Sequence, residues 1–250
     1  MENILLPSRI QYEDGERANE GVLTIDPCFY GYGTTLGNAL RRVLLSTLPG
    51  AAVTAVKIKG VNHEFQSVKG VKEDALEMIL NIKSLRLKCF SDEPVKLKLN
   101  VSGAKVVTAA DIEPNADVEI INTDLVLGTI TEADASLDME FTVRRGRGYT
   151  TSEDRANEEN RDLGTISIDA LFSPVRNVGY RVENTRVGEI TNYDRLIMNI
   201  ETDGTISPKE AVEESAKILI DYFSILTNNQ TSSIPAESFD KAESVETSEE

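Results

Sequence analysis

The sequence predicts an α+β fold in which two long helices accompany a larger number of short strands. Apolar residues recur with helical spacing over Thr35–Leu48 and again over Pro208–Leu226. Alternation of apolar and polar residues instead indicates strands at Leu85–Cys89, Val95–Leu99 and Leu137–Arg145. With 250 residues, the chain has room for one or two domains, each large enough to bury a core.

The chain is strongly acidic, with 42 Asp and Glu against 26 Lys and Arg and a net charge of -16. This balance argues against a protein that coats nucleic acid, because phosphate binding needs clustered positive charge. No apolar run approaches the roughly 20 residues that span a bilayer, and Met1–Pro7 lacks the regions of a signal peptide. The two cysteines, Cys28 and Cys89, fit neither a disulfide framework nor zinc-ligand spacing, so we expect a reducing, cytoplasmic compartment.

The first predicted elements are a hairpin and a helix. The hairpin strands, Ser8–Glu13 and Gly21–Asp26, follow one another across the turn pair Asp14–Gly15. The helix covers Thr35–Leu48, and Pro49–Gly50 is expected to end it. Its apolar residues are Leu36, Ala39, Leu40, Val43, Leu44, Leu45 and Leu48. A helix that is apolar on most sides is expected at the centre of a fold or at a subunit interface.

The middle of the chain is predicted to be mainly β. A strand at Val53–Lys59 precedes a short helix at Lys72–Lys83, and Leu85–Cys89 and Val95–Leu99 are expected to pair as a hairpin with one basic face. Further strands are expected at Asp117–Ile121, Leu125–Thr131, Leu137–Arg145, Gly164–Leu171, Val175–Glu183 and Arg195–Thr202. Arg144–Tyr149 is predicted to form a tight basic loop, which either binds phosphate or pairs with the acidic residues of a mobile polar loop at 150–162.

The second long helix has a clear start signal, because Ser207 and Glu210 form a capping box around Pro208. Its apolar residues occupy two sides, so we predict a partner surface. One side consists of Val212, Ala216, Leu219, Phe223 and Leu226, and the other of Ala211, Ile218, Tyr222 and Ile225. Residues 229–250 are predicted to form a disordered acidic tail.

No catalytic constellation emerges from the residue types. The single histidine, His63, excludes paired histidine ligands, and we expect it to be partly buried at a strand end. The turn Gly31–Gly37 fits a dinucleotide fingerprint only loosely, because its third glycine is one residue late and no βαβ pattern follows. A nucleotide-binding enzyme stays an alternative to a tight strand-to-helix turn. Arg41 and Arg42 are either solvated or anchors for a partner.

Six motifs, spaced along most of the chain, carry a resemblance to a known family. They are Leu36–Ser46 followed by Pro49–Gly50, Gly70–Asp74, Val107–Ile112, Arg145–Tyr149, Ser173–Val175 and Glu201–Ile206. In this order they resemble the amino-terminal assembly region of the bacterial RNA polymerase alpha subunit family, with Leu36–Ser46 similar to its signature helix.

The resemblance implies two subdomains. A discontinuous dimerisation subdomain would comprise residues 1–49 and 176–228 and carry both long helices, while residues 50–175 would form an inserted, mainly β subdomain that contacts the large subunits. The helices of two protomers would pack on each other, which agrees with the apolar excess of both helices. The dimer-interface residues expected on this basis are Leu36, Leu40, Val43, Leu44, Val212, Leu219, Phe223 and Leu226.

The resemblance also implies a role as the alpha subunit of DNA-directed RNA polymerase, a nucleotidyltransferase. The chain would be a homodimeric scaffold that nucleates assembly of the beta and beta-prime subunits. Contact with beta is expected at Arg42, Leu45, Arg41 and Asn38, and contact with beta-prime at Lys83, Ile168, Val175 and Arg195. The catalytic magnesium ion is expected on a large subunit, so this chain would hold neither cofactor nor catalytic residue. Omega, sigma and promoter DNA would be met only in the complete enzyme.

Members of this family commonly continue into a small helical C-terminal domain that binds promoter DNA, whereas this sequence stops at Glu250. We therefore expect little DNA affinity of the chain itself. Two alternatives stay open beside the nucleotide-binding enzyme. One is a related archaeal or organellar alpha-like subunit, although archaeal versions often carry cysteine-rich insertions. The other is an acidic homodimer unrelated to transcription.

Overall fold

The structure of the chain is a computed structural model that describes residues 4–17, 19–155, 164–188 and 190–227. Over these residues the fold is mostly β with three α-helices, which confirms the predicted α+β class. The acidic tail predicted at 229–250 lies outside the described residues, as do positions 156–162 of the predicted polar loop.

The helices and strands have the following bounds in chain order. The helices are α1 Tyr32–Ser46, α2 Ala75–Ile82 and α3 Pro208–Thr227. The strands of the first half are β1 Arg9–Asp14, β2 Glu20–Cys28, β3 Pro49–Ile58, β4 Leu87–Cys89, β5 Val95–Ser102, β6 Lys105–Thr108 and β7 Val118–Ile120. Those of the second half are β8 Val126–Ile130, β9 Ser136–Arg147, β10 Tyr149–Thr150, β11 Thr165–Ser167, β12 Ala170–Leu171, β13 Val175–Val187 and β14 Ile190–Thr202.

A four-stranded antiparallel sheet is built from the two ends of the described chain, in the order β1-β2-β14-β13. The predicted hairpin of β1 and β2 is confirmed, and its register pairs Arg9 with Asp26. A longer hairpin of β13 and β14 supplies the other half of the sheet. The two hairpins join where β2 lies beside β14, which places Ile25 opposite Leu196.

Helices α1 and α3 cover this sheet and share a core with it. The core residues are Leu23, Ile25, Cys28, Leu40, Leu44, Leu48, Val175, Val178, Leu196, Met198, Ile200, Ala211 and Val212. They come only from positions 23–48 and 175–212. The two outer segments of the chain therefore bury one apolar cluster together, although some 125 residues separate them along the sequence.

The boundaries of both long helices follow from local signals. Helix α1 begins three residues earlier than predicted, after Gly31 in the left-handed region at φ 81°. Pro49–Gly50 does not end the helix directly but opens β3, because Thr47 and Leu48 already turn the chain. The predicted capping box of α3 is confirmed: the Glu210 amide donates to Ser207 Oγ at 3.2 Å, and the Ser207 amide donates to Glu210 Oε2 at 3.1 Å.

A second, six-stranded sheet has the order β5-β9-β3-β4-β7, with β11 also paired to β3. Helix α2 packs against β3 and β8, and the Asp74 carboxylate caps its first turn. The core of this region is drawn only from positions 53–168. Its largest fully buried side chains are Phe141, Ile58, Met78, Ile82, Leu87, Leu99, Leu127, Ile130 and Leu137.

The predicted hairpin of Leu85–Cys89 with Val95–Leu99 is wrong, although both segments contain strands. Strand β4 pairs with β3 and β7, and β5 pairs with β9 over its whole length, from Val95 opposite Val143 to Ser102 opposite Ser136. An eight-residue ladder that buries every second side chain of β5 outcompetes the three-residue β4 as a partner. Alternation reveals which residues face inward, but not which strand lies alongside.

The predicted basic loop is also corrected. Arg144–Arg147 continue β9 and pair with β3, so that only Gly148, with φ 63°, turns the chain into β10. The polar stretch that follows is anchored where the structure describes it. The guanidinium of Arg155 is buried and donates to the carbonyl oxygens of Thr54 and Ile168. Residues 151–155 therefore do not form the mobile loop that was predicted.

Candidate subunit interface

Helix α1 lies unusually close to the four-stranded sheet because two glycines face it. A Cβ atom at Gly37 would lie 2.7 Å from the Tyr180 ring, and one at Gly33 would lie 3.0 Å from Asp194. Leu40 and Leu44 continue the same buried stripe, one and two turns later. The glycines therefore serve close packing, which was one of the two explanations that the sequence left open.

The start of α1 is closed by a carboxylate from β14. Asp194 is only 6% exposed, and its Oδ2 accepts the backbone amides of Gly31 at 2.9 Å and Gly33 at 3.1 Å. A helix N-terminus is the place where a nucleotide phosphate would bind, and here an internal anion occupies it. In addition, β2 is antiparallel to both of its neighbours, so no βαβ unit exists at this turn. The nucleotide-binding alternative for Gly31–Gly37 is therefore wrong.

The residues predicted to contact a beta subunit form one stripe on α1. Asn38, Arg41 and Arg42 are exposed, and Leu45 is half-buried. Their spacing of three and four residues places them on one side of the helix, next to the buried stripe. Among the described residues, neither guanidinium has an ion pair or hydrogen bond to another side chain. Two unpaired arginines beside a partly exposed leucine form a surface suited to an acidic partner.

The residues predicted to form a dimer interface divide into two groups. Leu40, Leu44 and Val212 are at most 7% exposed and fill the core of their own protomer, so they are not a free surface of the described fold. Sequence periodicity identified them as apolar but could not tell which side of the helix its own sheet would cover. The remaining residues are more accessible: Leu36, Val43 and Leu219 are half-buried, and Phe223 and Leu226 are 60% and 75% exposed.

The second half of α3 extends beyond the core and carries exposed apolar side chains. Its buried residues, Ala211, Val212 and Ser215, all lie in the first half of the helix. The exposed residues are Ile220, Tyr222, Phe223, Ile225 and Leu226. Ile220 was not singled out from the sequence, although it lies four residues after Ala216 and three before Phe223. An apolar surface of this kind on a terminal helix is typical of a protein interaction site.

Of the residues predicted to contact beta-prime, Lys83 has the best-defined surroundings. It follows α2, and its Nζ lies 3.1 Å from Asp169 Oδ2. The backbone amide of Ser152 also donates to Asp169, at 2.9 Å. These two donors lower the pKa of Asp169 to about 2, the amide contributing most. The ion pair ties α2 to the segment between β11 and β12.

The other three predicted beta-prime residues do not join Lys83 in one patch. Ile168 and Val175 are buried. Arg195 donates to Asp26 Oδ2 at 3.1 Å and to Thr185 Oγ1 at 3.3 Å, within the four-stranded sheet. Because Arg195 is opposite Glu183, it lies eight strand positions from Val175, roughly 27 Å along β13. The structure thus brings Lys83 together with Asp169, the neighbour of Ile168, and it places Arg195 far along the strand from Val175.

The remaining chemical candidates have ordinary surroundings. His63 is exposed in the loop after β3, rather than partly buried as predicted. Cys28 and Cys89 are both free, and burial raises the pKa of the Cys28 thiol, with smaller contributions from Asp194 and Asp26. Among the described residues, no group of His, Cys, Asp and Glu side chains could hold a metal ion. No helix in this part of the chain is long and apolar enough to cross a membrane.

Comparison with known proteins adds an independent line of evidence. Residues 56–173 match the model of the RNA polymerase Rpb3/RpoA insert domain. Over 202 residues, or 81% of this chain, the sequence is 54% identical to the DNA-directed RNA polymerase subunit alpha of Moorella thermoacetica. The match spans 64% of the length of that relative. The segment that matches the insert domain contains most of the six-stranded sheet and its core cluster at 53–168.

Proposed function

Since this chain belongs to the family of RNA polymerase alpha subunits, we propose that it is a homodimeric scaffold for the beta and beta-prime subunits of DNA-directed RNA polymerase. Its contribution to transcription is assembly: it supplies binding surfaces, and the large subunits supply the catalytic magnesium ion and the reacting groups. Omega, sigma and promoter DNA join through the complete enzyme, and the complex works in the cytoplasm.

The proposed scaffold has two subdomains that correspond to the two core clusters. Residues 1–49 and 176–228 form the dimerisation subdomain around the four-stranded sheet. Residues 50–175 form the inserted subdomain around the six-stranded sheet, except that the Val175 side chain lies in the core of the four-stranded sheet. The separation of the two clusters in sequence supports this division, and so does the insert-domain match at 56–173.

The dimer of this proposal forms through the exposed half of α3. Five large apolar side chains project from it, each at least 60% exposed in the protomer. Leaving them in water forgoes the free energy of apolar burial, about 25 cal/mol for each Å² that a partner would cover. A second copy related by a two-fold axis presents the same surface, so two such helices cover each other. We assign the half-buried Leu36 and Val43 of α1 to the same interface.

The observation that carries the assembly role is the Arg41 and Arg42 stripe of α1. The glycines and leucines on the neighbouring stripe fix the helix on its sheet, and the Asp194 carboxylate fixes its start. The helix backbone that carries Arg41 and Arg42 is thereby fixed before any partner binds, which reduces the entropy lost on binding. We assign this stripe, with Asn38 and Leu45, to the beta subunit, and the surface at Lys83 to beta-prime.

Co-purification with the beta subunit tests this function. The full chain is mixed with purified beta, and the molar mass of the chain alone and of the mixture is measured by light scattering. We expect a dimer of twice 27.5 kDa that captures beta. A monomer that leaves beta unbound would contradict both parts of the proposal. A dimer that leaves beta unbound would retain the dimer surface and refute the assignment of α1.

A further inference from the structure

Two bodies of the molecule meet at a narrow joint. The four-stranded body comprises the described residues of 4–48 and 175–227, and the six-stranded body those of 53–168. In the described part of the chain, every extensive contact between helices and strands stays within one body. Pro49–Ala52 and Asp169–Pro174 connect the bodies, and a cleft of about 420 Å³ lies beside these connections.

The joint contains a notch without side chains, formed by two glycines. Gly50 on β3 is directly opposite Gly146 on β9. Neither glycine has a φ in the left-handed region, so the backbone would accept alanine at both positions. The reason for glycine is therefore the space that a side chain would occupy.

Phe172 fills this notch. Phe172 is only 6% exposed. A Cβ at Gly146 would lie 2.7 Å from its ring atoms Cδ2 and Cε2. A Cβ at Gly50 would lie 1.8 Å from the Phe172 carbonyl oxygen. The Phe172 amide also donates to the Gly148 carbonyl oxygen at 2.8 Å. Ring, carbonyl and amide are thus all held by the last residues of the β3–β9 ladder and the turn that follows.

The chain continues from Phe172 directly into the other body. Two residues later, the Pro174 carbonyl oxygen accepts the Asp203 amide at 2.9 Å, immediately after β14. Val175 then enters the core of the four-stranded body. Phe172 and Pro174 are therefore attached to opposite bodies, with only Ser173 between them.

We infer that Phe172 is a positioning residue, which fixes the angle between the two bodies by seating on Gly50 and Gly146. This inference rests on the proposed function in one respect: the surface assigned to beta lies on the four-stranded body, and the surface at Lys83 lies on the six-stranded body. Two large subunits that meet one alpha chain require a defined angle between these surfaces. Besides the two connections, the bodies approach each other at Gly204, where a Cβ would lie 3.8 Å from Ile121. Phe172 is the large side chain that is buried at the connections themselves.

The test measures the angle directly in the full chain. Nitroxide labels are placed at the exposed positions Glu13 and Lys98, one on each body, in a Cys89→Ser background. Labelled chain is diluted with unlabelled chain, so that pulsed electron paramagnetic resonance records only the distances within one protomer. The variants are Phe172→Ala, Gly146→Ala, and the two combined.

Gly179→Ala is the matched control, because a Cβ at this glycine of β13 would meet no atom within 4 Å. We expect one narrow distance distribution for wild type and control. In Phe172→Ala and Gly146→Ala, we expect a shifted distribution or one about twofold broader. In the double variant, the alanine at position 146 should have no further effect, since the ring it would displace is gone.

The outcomes separate the inference from the proposed function. An unchanged distribution in both single variants would overturn the role of Phe172, whatever the large subunits do. Should Phe172→Ala unfold, as circular dichroism would show, Gly146→Ala decides the matter with the ring retained. A change in the distribution supports the wedge even if wild-type chain captures no large subunit, a result that would refute only the proposed function. If wild type captures both, the two single variants should lose roughly tenfold or more in affinity for the beta and beta-prime pair.

Discussion

Replacing Asp194 by alanine should lower the free energy of unfolding by about 3 kcal/mol, because one carboxylate oxygen accepts two amides at the start of α1. The Gly33 amide is buried and would be left without an acceptor, at a cost of about 1–3 kcal/mol. The Gly31 amide is at the surface, where water can replace the carboxylate, so its loss adds about 1 kcal/mol. Loss of the charge beside the helix N-terminus adds about 0.3–1 kcal/mol.

Asp194→Asn is the matched variant for this measurement. An asparagine keeps an oxygen that can accept both amides but removes the negative charge, so we expect it to cost only about 1 kcal/mol. Urea unfolding followed by circular dichroism measures both variants, at one fixed protein concentration because the proposed dimerisation would contribute to stability. A loss of 3 kcal/mol corresponds to a fall in melting temperature of about 6–12 °C for a chain of this size. An alanine variant within about 0.5 kcal/mol of wild type would refute the reasoning, as would an asparagine variant that costs as much as alanine.

Three further predictions concern the proposed surfaces and the ion pair beside α2. Arg42→Ala should leave the melting temperature unchanged and weaken beta binding by about 2 kcal/mol, roughly 30-fold. Arg9→Ala, on exposed β1, should leave beta binding unchanged. Equal affinity of both variants for beta would remove Arg42 from the interface. Phe223→Asp should yield a folded monomer in sedimentation, since the residue is exposed in the protomer but would bury a charge in the dimer. Phe65→Asp, at another exposed phenylalanine, should stay dimeric. A dimeric Phe223→Asp would exclude this part of α3 from the dimer interface. Because the folded-state pKa of Asp169 is lowered to about 2 from 3.8, its ionised form stabilises the fold above about pH 4, and this contribution is lost as the pH falls towards 2. Asp169→Asn should therefore flatten the decline of the free energy of unfolding between about pH 4 and pH 2. An unchanged dependence on pH would contradict the hydrogen bonds assigned to Asp169.

The resemblance drawn from six short motifs is confirmed at the level of the family, and it was accessible to sequence because those motifs are contiguous. The same holds for the features that depend on neighbouring residues alone. The Ser207 and Glu210 capping box, the hairpin of β1 and β2 and the inward side of β5 are all recorded in spacings of two to four residues. These patterns place elements along the chain without reference to the rest of the fold.

The contacts between distant segments were decided by the tertiary structure. The pairing of β5 with β9 depends on a strand 40 residues away, so alternation within β5 could not exclude β4 as its partner. Likewise, Leu40 and Leu44 look like any apolar residues of α1 until the sheet that covers them is in place. The glycines at the start of α1 were ambiguous between an anion site and close packing, and the answer came from Asp194, some 160 residues later.

The joint of the two bodies shows the same limit. The sequence marks Gly50 only as part of a helix-ending pair and Gly146 only as part of a basic loop, and it does not mark Phe172 at all. Nothing local requires a glycine at either position. Their relation exists only because β3 lies against β9 and the chain returns over both strands. The sequence by itself determined the family, the helices and most strands, because local spacing and caps are properties of adjacent residues. The folded chain alone decided which surfaces stay exposed and how the two bodies meet, because burial and close approach are properties of segments far apart along it.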